Sequence, residues 1–212
     1  MFTKNKIFFK KKEANLYFNR NKKKILDYEK DWVTKLLESA IKKLRGARAA
    51  ELKVLEIGCG DAKRLIFLKK KFPSIKFFGI DPLSNVIKNK DIFFKKSTAD
   101  HIPFKSNYFD MIIYGFCLYL ADDYDLFKIA FEADRVSKFK SMIAIYDFYG
   151  KKLKYKKYKH NKKIFVRKMN YSKLFSWHPY YKIKFLKIKK YERKDYLSFI
   201  LLKKEQINHK IL

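Results

Sequence analysis

Val54-Leu55-Glu56-Ile57-Gly58-Cys59-Gly60-Asp61, followed by Ile80-Asp81-Pro82, is the stretch that decides how this 212-residue chain folds. The branched apolar run Lys53–Ile57 predicts a buried strand, and Gly58 and Gly60 turn it into a helical stretch over Ala62–Lys71. Two glycines at a strand end let the backbone approach a ligand where any Cβ would collide. A second apolar run ends in Asp81, twenty-three positions past Gly58. A carboxylate at the tip of the neighbouring strand can accept both hydroxyls of a ribose. The pattern therefore predicts a nucleoside-binding βαβ unit.

Two details narrow the nucleoside. A dinucleotide fingerprint places a third glycine five residues after the first, where this chain has Lys63, which counts against NAD and FAD. Glu56 stands just before the glycine turn, where it would repel a pyrophosphate and welcome a cationic amino acid head group. The methionine end of S-adenosylmethionine is such a group.

Five segments extend the pattern: Glu56-Ile57-Gly58-Cys59-Gly60; Ile80-Asp81; Ala99-Asp100-His101-Ile102-Pro103-Phe104; Tyr108-Phe109-Asp110-Met111-Ile112-Ile113; and Glu132-Ala133-Asp134-Arg135-Val136. In this order and spacing, from Leu52 to Phe148, the chain resembles the class I S-adenosylmethionine-dependent methyltransferases, in particular the type 11-like domains. The resemblance implies a Rossmann-like α/β fold: a seven-stranded, mostly parallel sheet with helices on both faces and a C-terminal antiparallel hairpin. It implies S-adenosylmethionine as cofactor, with Glu56 reaching the methionine amine, Gly58, Cys59 and Gly60 making room for it, and Asp81 and Pro82 at the ribose. Ala99, Asp100 and His101 would meet the adenine, and Tyr114, Gly115 and Phe116 would border the transferable methyl. The chain departs from the family pattern at Ala62, where the turn often ends in glycine. It departs again at Ser137-Lys138-Phe139-Lys140, which stands in place of a Pro-Gly-Gly turn.

Length and an apolar content of 48% suit one α/β domain over 1–212. We divide it into a leading helical segment (1–50), a cofactor-binding core (51–148), an acceptor cover (149–181) and a closing hairpin with tail (182–212). Apolar spacing over Lys23–Leu44 predicts the leading helix, carried by Ile25, Leu26, Trp32, Val33, Leu36, Leu37 and Ile41. Strands are predicted at Lys53–Ile57, Lys76–Ile80, Ile92–Lys96, Phe109–Tyr114 and Ser141–Asp147, and a helix at Asp122–Val136. Lys182–Lys189 and Tyr196–Leu202, joined by Glu192-Arg193-Lys194-Asp195, read as an antiparallel hairpin. No run reaches the roughly eighteen uninterrupted apolar residues of a transmembrane helix. The basic Lys4–Lys12 segment has too short an apolar part for a signal peptide. Two cysteines make a disulfide framework improbable, no metal site is expected, and a cytoplasmic home follows.

The formal net charge of +31 would ordinarily suggest nucleic acid or an anionic membrane. Of 52 basic residues only seven are arginine, whereas phosphate and base recognition recruits the bidentate guanidinium. A/T-rich codon bias, which favours Lys, Phe, Tyr, Ile and Asn, would spread lysine over every solvated face. Against that, Lys151–Lys168 carries nine lysines and Arg167, no acid, and Tyr155, Tyr158 and Phe165 between them. Cations with aromatics suit an anionic acceptor, and the aromatic Met169–Tyr181 segment reads as pocket wall. After the fourth predicted strand Ile113-Tyr114-Gly115-Phe116 lacks the Asn/Asp-Pro-Pro-aromatic run that holds a flipped base, so specific nucleic-acid binding is not expected.

Methyl transfer from a sulfonium needs a general base only for some acceptors. Asp147, His160 and His178 are the candidates, each with a rival reading as turn cap or exposed loop residue. The function expected is S-adenosylmethionine-dependent methyl transfer to a small or carrier-linked acceptor such as a sugar, a phosphate-bearing intermediate or a lipid precursor. An RNA methyltransferase and an inactive cofactor-binding homologue are the alternatives.

Overall fold

The computed structural model describes residues 5, 8, 13–21, 27–47, 51–83, 89–192 and 195–205. Seven strands form one sheet: β1 (Lys53–Ile57), β2 (Lys76–Asp81), β3 (Ile92–Lys96), β4 (Phe109–Gly115), β5 (Ser137–Tyr149), β8 (Tyr181–Lys190) and β9 (Tyr196–Lys204). Their order is β3-β2-β1-β4-β5-β9-β8. The first five run parallel, and β9 is antiparallel to both β5 and β8. This is the expected Rossmann-like sheet with its antiparallel closing hairpin. Arg193 and Lys194, in that hairpin's turn, lie outside the described residues.

Each central strand is buried on both faces, and alternate side chains feed two separate cores. Leu55, Ile57, Ile112, Tyr114, Ile143, Ile145, Ile200 and Leu202 point to one side, where α4 (Leu126–Val136) packs through Ile129, Ala130 and Ala133. Val54, Phe77, Met111, Ile113, Ala144, Phe199 and Leu201 point to the other, against α2 (Trp32–Gly46) and α3 (Lys63–Lys71). A period of two on a sheet buried on both sides explains why the runs read as continuously apolar.

The leading helix begins later than the periodicity suggests. Residues 27–30 form a turn in which Asp27 O accepts from Lys30 N and Asp31 N. Asp31 then caps α2, accepting from Thr34 N at 2.9 Å and Thr34 Oγ1 at 2.7 Å. The cap carries a local signal that apolar spacing ignores, so Trp32 is the first helical residue; Ile25 and Leu26 lie outside the described residues, as does most of Lys4–Lys12.

The Ser137–Lys140 departure also resolves. Instead of a glycine turn, α4 passes straight into β5, and a bulge between Phe109 and Met111 absorbs the register. The strain sits at Lys140, a non-glycine residue held at φ 62°. The segment expected as an acceptor cover contains a two-stranded ribbon, β6 (Lys154–Tyr158) paired with β7 (Asn161–Lys168). Ile164 and Val166, two apart and buried with Tyr158, anchor it on the α4 side of the sheet. The short helix α1 (Ala14–Asn21) reaches the same ribbon through Glu13, whose carboxylate accepts from Tyr158 Oη at 2.8 Å.

Candidate cofactor site

The carboxyl ends of β1, β2 and β4 meet above the sheet, where α/β folds of this kind bind ligands. Gly58 sits at φ +74°, and a Cβ there would lie 2.7 Å from Cys117 Cβ, so the turn has room only for glycine. Ala62, at the family's departure, is also left-handed at φ 57° and opens α3. Asp81 accepts from Gly60 N through one oxygen at 2.9 Å and from Leu83 N through the other at 3.0 Å. The carboxylate thus fixes the glycine turn against the end of β2 and keeps lone pairs for further donors. Burial pushes its pKa up, and those two N–H groups pull it back in part.

A cleft of about 640 Å³, mouth included, opens beside this turn. Gly58, Pro82, Ala99 and Asp100 line it, four of the residues expected from sequence. Thr98, Cys117, Leu118, Ala121 and Asp125 line it too, and the pattern of motifs offered no sign of them. Asn5 also reaches its wall, hydrogen-bonded through its backbone to Asp122 at 3.2 Å and through its side chain to Phe165 O at 2.9 Å. No local signal in the sequence links residues 160 positions apart.

Other expected residues lie around the cleft rather than in it. The Tyr114 side chain turns the opposite way, fully buried under α4 with its hydroxyl donating to Ile129 O at 3.2 Å, because β4 alternates and this position faces the core. Cys59 is buried against Gly79, and His101 is exposed. Gly115 leaves space for Glu56: a Cβ there would lie 2.5 Å from Glu56 Oε1. Phe116 holds a left-handed φ of 64° at the end of β4, within contact of the rings of Tyr119, Tyr146 and Phe148. Such strain in a bulky residue persists only where the surroundings fix it.

Glu56 is buried and accepts from Arg64 Nη1 at 2.6 Å. Burial raises its pKa, opposed by Arg64. Two of the family segments serve the frame. Glu132 on α4 accepts from Ile102 N at 2.8 Å, and Arg135 donates to Ile102 O and Phe104 O, each at 2.8 Å, so Glu-x-x-Arg clamps the Ile-Pro-Phe turn beneath Asp100. Hydrogen bonding by Arg135 lowers the Glu132 pKa. Asp110 holds Lys53 N at 2.9 Å and Lys138 Nζ at 3.0 Å.

Of the three general-base candidates, Asp147 is wholly buried and accepts from Leu118 N at 2.8 Å, Tyr119 N at 3.3 Å and Phe148 N at 2.7 Å. Burial lifts its pKa to about 7 against those three donors. His160 is exposed in the β6–β7 turn, edge-on to the ring of Tyr158. His178 packs among Trp177, Tyr180 and Tyr181, away from the cleft. The aromatic segment 169–181 is divided: Tyr171 and Phe175 are fully buried in the core, Phe175 against Tyr114 and Tyr181, while Trp177 is exposed. Large apolar rings next to the α4 core bury there because more water-exposed area is removed than a cleft could remove. Among the described residues no group of three His, Cys, Asp or Glu gathers as a metal site.

Residues 54–139 match a family profile described as a methyltransferase domain. The chain carries a class I S-adenosylmethionine-dependent methyltransferase domain. Over those residues it carries a methyltransferase domain on the fold of the S-adenosylmethionine-dependent enzymes. Solved structures share the fold of this chain. An S-adenosylmethionine-dependent methyltransferase from Methanosarcina mazei has a TM-score of 0.59 at 16% identity, covering 77% of this chain and 97% of its own. The 1,6-didemethyltoxoflavin-N1-methyltransferase of Burkholderia thailandensis, with S-adenosylhomocysteine bound, gives 0.66 at 9%, covering 91% and 87%. A [4+2]-cyclase, SpnF, gives 0.57 at 11%, covering 85% and 84%. No curated protein matches the chain. A fold shared with a cyclase does not select an acceptor. The residues present fit the cofactor: the Gly58 cradle would be filled by any Cβ, and one Glu56 oxygen, Oε2, is buried without a hydrogen-bond partner.

Proposed function

We propose that this domain methylates a small or carrier-linked anionic acceptor, such as a sugar, a phosphate-bearing intermediate or a lipid precursor. Glu56 would take the methionine amine, Gly58 and Gly60 the space beside it, Asp81 the ribose hydroxyls, and Asp100 with Ala99 the adenine. The cofactor supplies a methyl group that already carries its leaving group, so the chain's task is to orient and dehydrate the acceptor. Asp147 is occupied by three backbone donors and serves to hold the 118–119 turn, which leaves no assigned general base.

One observation carries the anionic acceptor: residues 148–191 contain fifteen lysines and one arginine and not a single acid. Codon bias spreads lysine but gives no reason to clear carboxylates from one continuous stretch. The stretch also borders the cleft, because Arg167 on β7 donates to Ala121 O at 2.8 Å and pairs with Asp123. The Burkholderia thailandensis enzyme that shares the fold holds the small molecule 1,6-didemethyltoxoflavin, which is in keeping with a small acceptor. We take the domain to span 1–212 and to work in the cytoplasm; among the described residues no helix is long and apolar enough to cross a membrane.

RNA is the second reading, favoured by Tyr155 and Phe165, about half exposed between the lysines. Labelled S-adenosylmethionine is supplied with a metabolite extract and, separately, with total RNA at about 0.15 M salt, where screening acts over about 8 Å. We expect label in a small anionic product. Label in a defined RNA species, lost when lysines of 151–168 become glutamine, overturns the small-acceptor reading.

A further inference from the structure

Glu56 and Arg64 form a buried pair that is bonded through only one atom on each side. Arg64 is the second residue of α3, and its Nη1 donates to Glu56 Oε1 at 2.6 Å. Arginine and carboxylate commonly meet as a two-pronged fork. Here Glu56 Oε2 and Arg64 Nε are both buried and neither has a hydrogen-bond partner. Buried polar atoms are almost always paired, and a surplus acceptor beside a surplus donor is not what a purely structural ion pair leaves.

The surroundings hold the guanidinium where it is. Its central carbon lies 6.0 Å from the centre of the Tyr146 ring on β5, and Asp31 and Tyr28, from the turn before α2, act on its charge. Glu56 side chain and guanidinium lie on the α2–α3 side of the sheet, at its carboxyl edge, next to the Gly58 turn. The pair thus leaves one anionic acceptor and one cationic donor without hydrogen-bond partners, beside the Gly58 turn that the cleft opens on. A ligand matching both carries an ammonium and a carboxylate on neighbouring atoms, as an α-amino acid does.

We propose that Arg64 is the receptor for the carboxylate at the methionine end of the cofactor, and that with Glu56 it reads that end as a zwitterion. The inference rests on the cofactor placement above and adds a specificity residue to it: the pair rejects thionucleosides lacking either charge. Arg64 also holds one Glu56 oxygen, leaving the other free for the ammonium.

Calorimetric titration tests this with three probes: S-adenosylhomocysteine, its decarboxylated analogue, and 5′-methylthioadenosine, which lacks the amino acid end. The unaltered protein should prefer S-adenosylhomocysteine over the decarboxylated analogue by about tenfold or more, the scale of a hydrogen bond to a charged group. Arg64→Gln should abolish that preference and leave 5′-methylthioadenosine affinity unchanged, with Arg64→Lys between. Because Arg64→Gln strands a buried carboxylate, Glu56→Gln/Arg64→Gln is measured beside it and should show no preference either. An Arg64→Gln protein that keeps the preference, or that weakens for all three probes alike, overturns the proposal. So does a double variant with its affinity for S-adenosylhomocysteine restored, since Arg64 would then only neutralise Glu56. If the unaltered protein binds all three equally, the proposal fails while the cofactor placement stands; if it binds none, the placement itself fails.

Discussion

The β1–β2 half of the sheet's carboxyl edge and the β5 half beside it each bury a carboxylate, and they use it in opposite ways. Asp147, near the end of β5, has both oxygens engaged by three backbone N–H groups and fixes the 118–119 turn. Glu56, ending β1, bonds one arginine and keeps Oε2 unpaired. Burial alone therefore does not mark a functional acid. What separates the two is whether the protein has already spent the oxygen atoms. The same contrast holds for charge: Asp81, Asp100 and Glu56 collect on the first half, while the ribbon flanking the second has no acid at all.

The largest expected effect is on the β5 side. Asp147→Ala should lower unfolding free energy by about 2–5 kcal/mol, because the Leu118, Tyr119 and Phe148 N–H groups lose their acceptor. Its pH dependence has a definite sign. The carboxyl titrates near 3.8 when unfolded and at about 7 when folded. The native chain thus holds a proton that the unfolded chain has released, and this contribution to stability is full below about 4 and lost as pH rises to about 7. Urea titrations from pH 5 to 8 should show a fall with pH that the variant lacks; equal slopes would mean the site ionises without penalty.

Next in size is a crossed pair that separates the two halves. Asp81→Ala should weaken S-adenosylhomocysteine binding by about 1.5–3 kcal/mol. Arg167→Met should leave that binding intact but release the ribbon from Ala121 and Asp123, which limited proteolysis would register as new cleavage within 151–168. A loss of cofactor affinity on Arg167→Met, equal to that of Asp81→Ala, would merge the halves into one site.

The smallest effect concerns the bulge at the start of β5. Lys140 is exposed and left-handed, so Lys140→Gly should raise stability by about 0.5–1 kcal/mol, the relief of a left-handed Cβ less the added freedom of the unfolded chain. Thermal unfolding reads it, with cofactor affinity unchanged. A decrease would place Lys140 in contacts that matter more than its backbone.

The order of β1 to β5, the glycine turn and Asp81 were legible because each rests on local chemistry: apolar period, a residue without Cβ, a carboxylate at a strand tip. The start of α2 was legible as well, in the Asp31 cap, and apolar spacing passed over it. The Glu132–Arg135 clamp was visible as a motif while its work on Ile102–Phe104 was not, because partners thirty residues apart meet only after α4 packs.

By itself the sequence determined the strand runs of the seven-stranded sheet, which follow from spacing along one chain, and, through the resemblance carried by its motifs, the expected cofactor. Only tertiary structure decided that Tyr114, Tyr171 and Phe175 are core, that Asp147 is consumed by backbone donors, and that Arg64 meets Glu56 through a single prong. The physical reason is the same in each case. A side chain's free valences and its exposure depend on which distant residues fold against it, and no periodicity records that.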